Sequence, residues 1–161
     1  MTRKPYDIVL VGCTQTKAAY PSTAETLYRS PLFKASRLWA ITNGKRWAIL
    51  SARHGIVWPE QVLEPYDETW ARTGRNVHAV RAWGFRVQAE LCHLAKEGKP
   101  ARCAVLAGFT YTRPLRNVGA IRGFDEPLAG LSIGHRLRWL NENTNRPGRR
   151  PVPAQPLLPI F

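Results

Sequence analysis

Residues 6–14 read Tyr-Asp-Ile-Val-Leu-Val-Gly-Cys-Thr. The run over residues 6–11 is compact, rich in β-branched side chains and halted by Gly12. A strand covered on both faces of a parallel sheet has this pattern. Two further runs match it, Arg46–Ser51 and Arg102–Ala107, the latter ended by Gly108. Between the first two, Ser30-Pro31 supplies a capping hydroxyl and then Pro at the first helical position. The helix it opens carries Leu32, Ala35, Ser36, Trp39 and Ala40 on one face and stops at Gly44. Between the second and third, Asn76 caps the longest predicted helix, residues 76–97. Val77, Val80, Gly84, Val87, Leu91 and Leu94 follow the helical period there, and Gly98 closes it. Strand, helix, strand, helix, strand predicts an α/β domain over residues 1–145, with a mostly parallel central sheet flanked by helices.

The remaining segments are read more coarsely. Residues 14–29, with Pro21 and Ser22, form a loop. Residues 52–74 hold Pro59 and Pro65 and cannot be one regular element, and Trp58, Tyr66 and Trp70 make the stretch a packed connection. A short helix starts near Thr112-Arg113-Pro114, residues 121–127 read as a turn region, and residues 131–140 form a last helix with Leu131, Ile133, Leu137 and Leu140 inward. Residues 146–161 contain five Pro and form an extended tail whose end, Leu157-Leu158-Pro159-Ile160-Phe161, is suited to dock on the domain or to join two copies into a homodimer. No internal repeat is present.

The chain has 161 residues, 44% of them hydrophobic, which suffices for one core without staples. Six Trp, five Tyr and five Phe exclude a disordered chain. No apolar run approaches the ~20 residues of a membrane span, and the first one is too short, and opened by Asp7, for a signal peptide. Three widely spaced cysteines, Cys13, Cys92 and Cys103, predict neither a disulfide framework nor, beside His54, His78, His93 and His135, a zinc site. A reducing cytoplasm fits them, and no cofactor is called for. Lys plus Arg outnumber Asp plus Glu by 24 to 11, a net charge of +13, and 18 of the 24 are Arg. A GC-rich genome would account for the Arg-to-Lys ratio but not for the excess of base over acid. That excess points to a nucleic-acid partner.

In an open parallel sheet the ligand crevice lies beyond the carboxyl ends of the strands. Three segments converge there. Gly12-Cys13-Thr14-Gln15-Thr16-Lys17 offers backbone N–H groups and a cation to an anion, without the spacing of a P-loop. Ser51-Ala52-Arg53-His54-Gly55, with Glu64-Pro65-Tyr66-Asp67 downstream, offers a proton carrier and a carboxylate. Ala107-Gly108-Phe109-Thr110-Tyr111 allows close approach at Gly108 and gives Tyr111 for stacking or for a phosphate. Each has a plainer reading: a solvated lysine, a turn histidine, a helix-capping aspartate, a core tyrosine. Cys92 and Cys103 read as core residues. A Ser51–His54–Asp67 triad is discounted for want of a GxSxG turn.

The stretches VGCTQTK (11–17), LYRSPLF (27–33), WAILSARHGIVWPEQVLEPYDETW (47–70), AGFTYTRPL (107–115) and PLAGLSIGHRLRWL (127–140) resemble an uncharacterised domain family of bacteria and their phages. The part from Ile49 to Gly55, with Pro59 and Glu64-Pro65-Tyr66-Asp67 after it, is also similar to the YaaA peroxide-stress family, although this chain is shorter and carries Asp67 where YaaA-like chains have a basic residue. The resemblance implies DNA rather than RNA as partner, a fold distantly like uracil-DNA glycosylases, and a connection with removal of modified bases from phage DNA. The GQDPY-type motif of true uracil glycosylases is absent. The expectation is a DNA glycosylase-type enzyme, a hydrolase of the N-glycosidic bond, with Asp67 stabilising the cationic sugar or activating water. Ser51 and His54 would assist, and Cys13, Thr14, Lys17, Arg53, Gly55, Tyr66, Gly108 and Tyr111 would contact substrate. The alternatives are a non-catalytic DNA-binding module and a transferase acting on free nucleosides or nucleotides.

Overall fold

A computed structural model describes residues 4–70, 76–96, 101–116 and 121–144. Its centre is the first run of the sequence, now strand β1 (Tyr6–Gly12), in which Val9, Leu10 and Val11 are buried on both faces. A two-residue strand β2 (Ser22–Thr23) and one turn of helix α1 (Ala24–Leu27) follow, then α2 (Pro31–Asn43), β3 (Gly44–Ser51), β4 (Gly55–Val57) and β5 (Val62–Leu63). Helix α3 (Val77–Lys96), β6 (Ala101–Leu106), α4 (Phe109–Thr112) with a 3-10 turn (Arg113–Leu115), β7 (Ile121–Asp125) and α5 (Ile133–Asn143) complete the described chain.

The sheet order is β4-β3-β1-β6-β7, parallel throughout except for the β3–β4 hairpin. The chain leaves β1 toward β3 and later returns past it to β6. Right-handed crossovers therefore put α2 on one face and α3 with α4 on the other. Helix α5 joins the α2 face, where Trp139 meets Trp39 at 6.0 Å between ring centroids. The mixed α/β architecture with a mostly parallel, helix-flanked sheet is as the sequence predicts.

Several local expectations hold in atomic detail. Ser30 Oγ accepts the Phe33 amide at 3.1 Å, and Asn76 Oδ1 accepts that of Ala79 at 3.1 Å. Others need correction. Residues 121–125 are a fifth strand beside β6 rather than a turn, and residues 55–57 form an antiparallel strand within the presumed loop. Loop 14–29 is not plain coil: β2 pairs with β5, and Ala24 N and Glu25 N donate to the carbonyls of Gln61 and Pro59 at 2.7 and 3.0 Å. Val77 and Ile133, assigned to helix faces turned inward, sit in first turns that overhang the core and are 69% and 72% exposed. Trp83, not on the expected stripe, is buried beside Val87 and Leu91. Gly98 and the Pro-rich segment 146–161 lie outside the described residues. Among the described residues no helix is long and apolar enough to cross a membrane.

Two glycines shape the carboxyl edge. Gly55 closes the β3–β4 turn at φ +76°, a conformation that disfavours any side chain. Gly12 faces Ala107 so closely that a Cβ there would stand 2.9 Å from the Ala107 Cβ and 3.3 Å from its Cα. Gly134, in α5, has nothing within 4 Å of the same position. Gly12→Ala is therefore expected to destabilise by about 1–3 kcal/mol through overpacking, and Gly134→Ala to stabilise by about 0.5–1 kcal/mol through reduced backbone freedom. Urea unfolding of both variants checks the pair of signs.

Candidate active site at the carboxyl edge of the sheet

Because the connections from β1 and β6 depart to opposite faces, a crevice opens between their carboxyl ends. It is a cavity of about 240 Å³. The residues after β1 (Gly12, Cys13, Thr14, Gln15) form one side, and Leu106, Ala107, Gly108, Thr110 and Tyr111 form the other. Leu32, Phe33 and Ser36 of α2 close it beneath, Thr69 and Leu128 flank it, and Ile133 and Arg136 stand at its margin. Most of this wall is apolar. The exceptions matter: Thr14 Oγ1 is buried with no hydrogen-bond partner among the described residues, and the Arg136 guanidinium is half-buried. Arg136 Nε is fixed by the Leu131 carbonyl at 2.8 Å, and its Nη1 lies 3.8 Å from where a side chain on Gly108 would begin. Withdrawal from water lowers the Arg136 pKa from its ordinary value, yet an arginine keeps its proton in any case.

Cys13 stands where the strand ends meet. Its amide donates to the Leu50 carbonyl at 2.9 Å, extending the β1–β3 ladder by one bond. Its Sγ accepts the Ala52 amide at 3.4 Å and lies 3.2 Å from the Tyr111 hydroxyl. That hydroxyl in turn accepts the Trp70 amide at 3.0 Å. Tyr111 is thus a buried wall of the cavity, held edge-on to Trp83 at 5.5 Å, and its hydroxyl is already engaged.

A second network adjoins the first. Ser51 is fully buried, its Oγ 2.7 Å from the Tyr66 hydroxyl and accepting the His54 amide at 3.0 Å. The Tyr66 hydroxyl also meets that of Tyr28 at very short range. Burial first, then the neighbouring Cys13, raises the pKa values of Tyr28, Tyr66 and Tyr111, so all three phenols stay protonated near neutrality. Lys17 Nζ sits over the Tyr66 ring, 4.4 Å from its centroid. Burial lowers the Lys17 pKa, with Cys13 and Asp67 opposing that shift, so the three groups share one electrostatic environment. Asp67 itself is exposed, two residues before Thr69.

Cys13, Thr14, Gly108 and Tyr111 therefore line the cavity. Ser51, Tyr66, Lys17 and Asp67 gather beside it. His54 reaches Ser51 with its backbone amide, and its ring stacks edge-on to Tyr66 at 5.3 Å. Arg53 and Gly55 lie on the β3–β4 turn under α3, where the Arg53 carbonyl accepts Arg86 Nη2 at 3.0 Å and a Cβ on Gly55 would meet Glu90 Oε1 at 2.8 Å. They serve the turn and do not reach the cavity. Sequence reasoning missed Tyr28, Thr69 and Arg136. Arg136 did leave a signal: a cation in the first turn of α5, just after its Ser132 cap, opposes the helix dipole and asks for a reason. Among the described residues no group of three His, Cys, Asp and Glu is placed to hold a metal ion.

Comparison with known proteins adds one positive finding. Neither a curated protein nor a solved structure matches the chain. A sequence profile matches residues 8–142, from within β1 to the last turn of α5, and so spans every strand and helix around the cavity: the chain belongs to a family of unknown function, DUF6884.

Proposed function

We propose that the protein acts on a nucleobase of nucleic acid, DNA ahead of RNA, by hydrolysing its N-glycosidic bond with the base held between the ends of β1 and β6. The cavity is the observation that carries this reading. A dry apolar cavity of ~150 Å³ accommodates benzene, and pockets for drug-sized molecules run to about 300–1,000 Å³. At about 240 Å³, with apolar walls from Leu32, Phe33 and Tyr111, this one suits a single heterocycle. Thr14 Oγ1 offers a hydrogen bond to a base edge, and Arg136 a fork for the adjoining phosphate. The net charge of +13 favours a polyanion as the source of that base. A base drawn from a duplex must first be flipped out, at a cost of about a few kcal/mol.

Bond cleavage places positive charge on the sugar and negative charge on the departing base. Asp67 is an exposed carboxylate two residues from Thr69 of the cavity wall and in the field of Lys17. In this reading it takes a proton from water while the water oxygen bonds to the anomeric carbon and the C–N pair leaves with the base. Lys17, in the same field, stabilises the charge on that base. Ser51 and Tyr66 are positioning residues here. A likeness to uracil-DNA glycosylases, and to YaaA-like DNA binding, belongs to the same proposal. Half-burial of Arg136 beside a one-base cavity favours a second reading, a transferase on free nucleotides. A non-catalytic module that only holds DNA is the third.

Incubation with unmodified and heavily modified phage DNA, followed by mass spectrometry of the small-molecule fraction, is expected to show a free base. Asp67→Asn should cut its release by about 100-fold or more, the share of one general base, while DNA retention persists. Full release from that variant would remove Asp67 from the mechanism. Nucleotide consumption without release from DNA would favour the transferase, and retention without product the binding module. Arg136→Ala is expected to weaken binding of a nucleoside monophosphate by about tenfold or more, as loss of a charged hydrogen bond does, in a titration calorimeter.

His54 gives a separate pH test. Burial, with Arg53 and Arg86 adding to it against Glu68, lowers its pKa below the ordinary 6.5. The unfolded chain then takes up a proton before the folded one does. The stability His54 contributes is present above 6.5 and is lost as pH falls through the window below it. Imidazole proton NMR is expected to show His54 titrating below 6.5 and neutral at pH 7, and His54→Gln to flatten the acid limb of a thermal-stability profile.

A further inference from the structure

A second depression, about 600 Å³, runs between α3 and the α4/3-10 segment. Its floor is fixed by close approach: a Cβ on Gly84 would stand 2.5 Å from the Pro114 Cβ, and the Gln88 side-chain amide donates to the Pro114 carbonyl. Its rims carry Phe85 and Phe109, 62% and 58% exposed although each is a large apolar ring. Isolated exposed apolar residues need no explanation, but two aromatic rings on facing rims of one groove do. Arginines accompany both. Arg81 lies 6.0 Å from the Phe85 centroid, and Arg113 and Arg116 lie 5.9 and 5.1 Å from that of Phe109. Arg116 is held by Glu126 at 2.9 Å, whereas Arg81 and Arg113 make no ion pair among the described residues. Among the described residues no acidic side chain lines the groove. Thr110 borders both this groove and the carboxyl-edge cavity, so the two are neighbours along α4.

We propose that this groove binds a single-stranded segment of nucleic acid, with bases stacked on Phe85 and Phe109 and phosphates on Arg81 and Arg113. Aromatic faces interleaved with unpaired cations match a chain that alternates π-faces with anions. A duplex hides its base faces in its own stack and would leave both rings idle. An acidic peptide would use the arginines and not the rings. The inference deepens the nucleic-acid reading above by naming the form of the substrate: an unpaired strand whose neighbouring nucleotide is delivered past Thr110 to the cavity.

Fluorescence anisotropy with a labelled 12-mer, as single-stranded DNA, single-stranded RNA and blunt duplex DNA, tests it on the full chain. A single strand is expected to bind at least about tenfold tighter than the duplex. Phe85→Ala and Phe109→Ala should each weaken that binding by about tenfold, the worth of one stacked base, and Phe109→Trp should keep it. Arg81→Ala and Arg113→Ala should each lower the slope of log affinity against log salt by about 0.7. Both rings are largely exposed, so the variants are expected to melt with the wild type. Equal or tighter binding of the duplex would overturn the proposal, and so would wild-type affinity in both alanine variants. The outcome separates from that for the cavity. Base release with unaffected alanine variants sinks the groove alone, and ring-dependent strand binding without base release sinks the glycosidic reading alone.

Discussion

Cys13 joins three strand ends with one residue. Its amide lengthens the β1–β3 ladder, its sulfur receives the Ala52 amide at the turn out of β3, and its contact with Tyr111 ties in the segment after β6. Tyr111 then fixes Trp70 through that residue's amide. The carboxyl edge therefore behaves as one unit although its parts are about a hundred residues apart in the chain. This junction needs Gly12 before it, since any side chain there would push Ala107 away and part β1 from β6. The cavity takes its dimensions from that contact.

Desolvation sets the character of the polar groups around the junction. Tyr28, Tyr66 and Tyr111 are each pulled between burial, which favours the neutral phenol, and hydrogen bonds, some of which favour the phenolate. Burial is the largest influence in every case. The same competition lowers Lys17 despite Cys13 and Asp67 beside it. Cys103, on the buried part of β6, shows the limit: burial and Asp125 push its thiol up to about 12, so it is chemically inert at physiological pH. The edge is thus built mainly from neutral donors and acceptors, with Lys17, Asp67 and Arg136 at its margin.

The three central strands were legible because each is buried on both faces and so reads as an unbroken apolar run. The strands that escaped are those without that burial. Residues 121–125 interleave Arg122 and Gly123 with their apolar residues, as an edge position allows, and residues 55–57 are too short to show a period. Caps at Ser30 and Asn76 were legible since they act through neighbours three residues away. Val77 is exposed because helical periodicity gives a stripe but not where along it the core ends, whereas Trp83, three residues after Val80 and four before Val87, shares the buried face. At the site, residues next to strand ends could be listed from sequence alone. Tyr28 could not, since a backbone bridge to Lys17 brings it in, and Arg136 left only its unfavourable place in the first turn of α5, with nothing local to say that this turn borders the crevice.

The β2–β5 ribbon also bears on motion. It has only two residues on each side, yet with the Ala24 and Glu25 amides it stitches the loop after β1 to the loop after β4. One stitched loop carries Thr14 and Lys17, the other Tyr66, Asp67 and Thr69. Neither loop can shift without dragging its neighbour, so the Thr14 and Thr69 sides of the crevice are held as one body. Only rupture of those few backbone bonds would let either loop move alone.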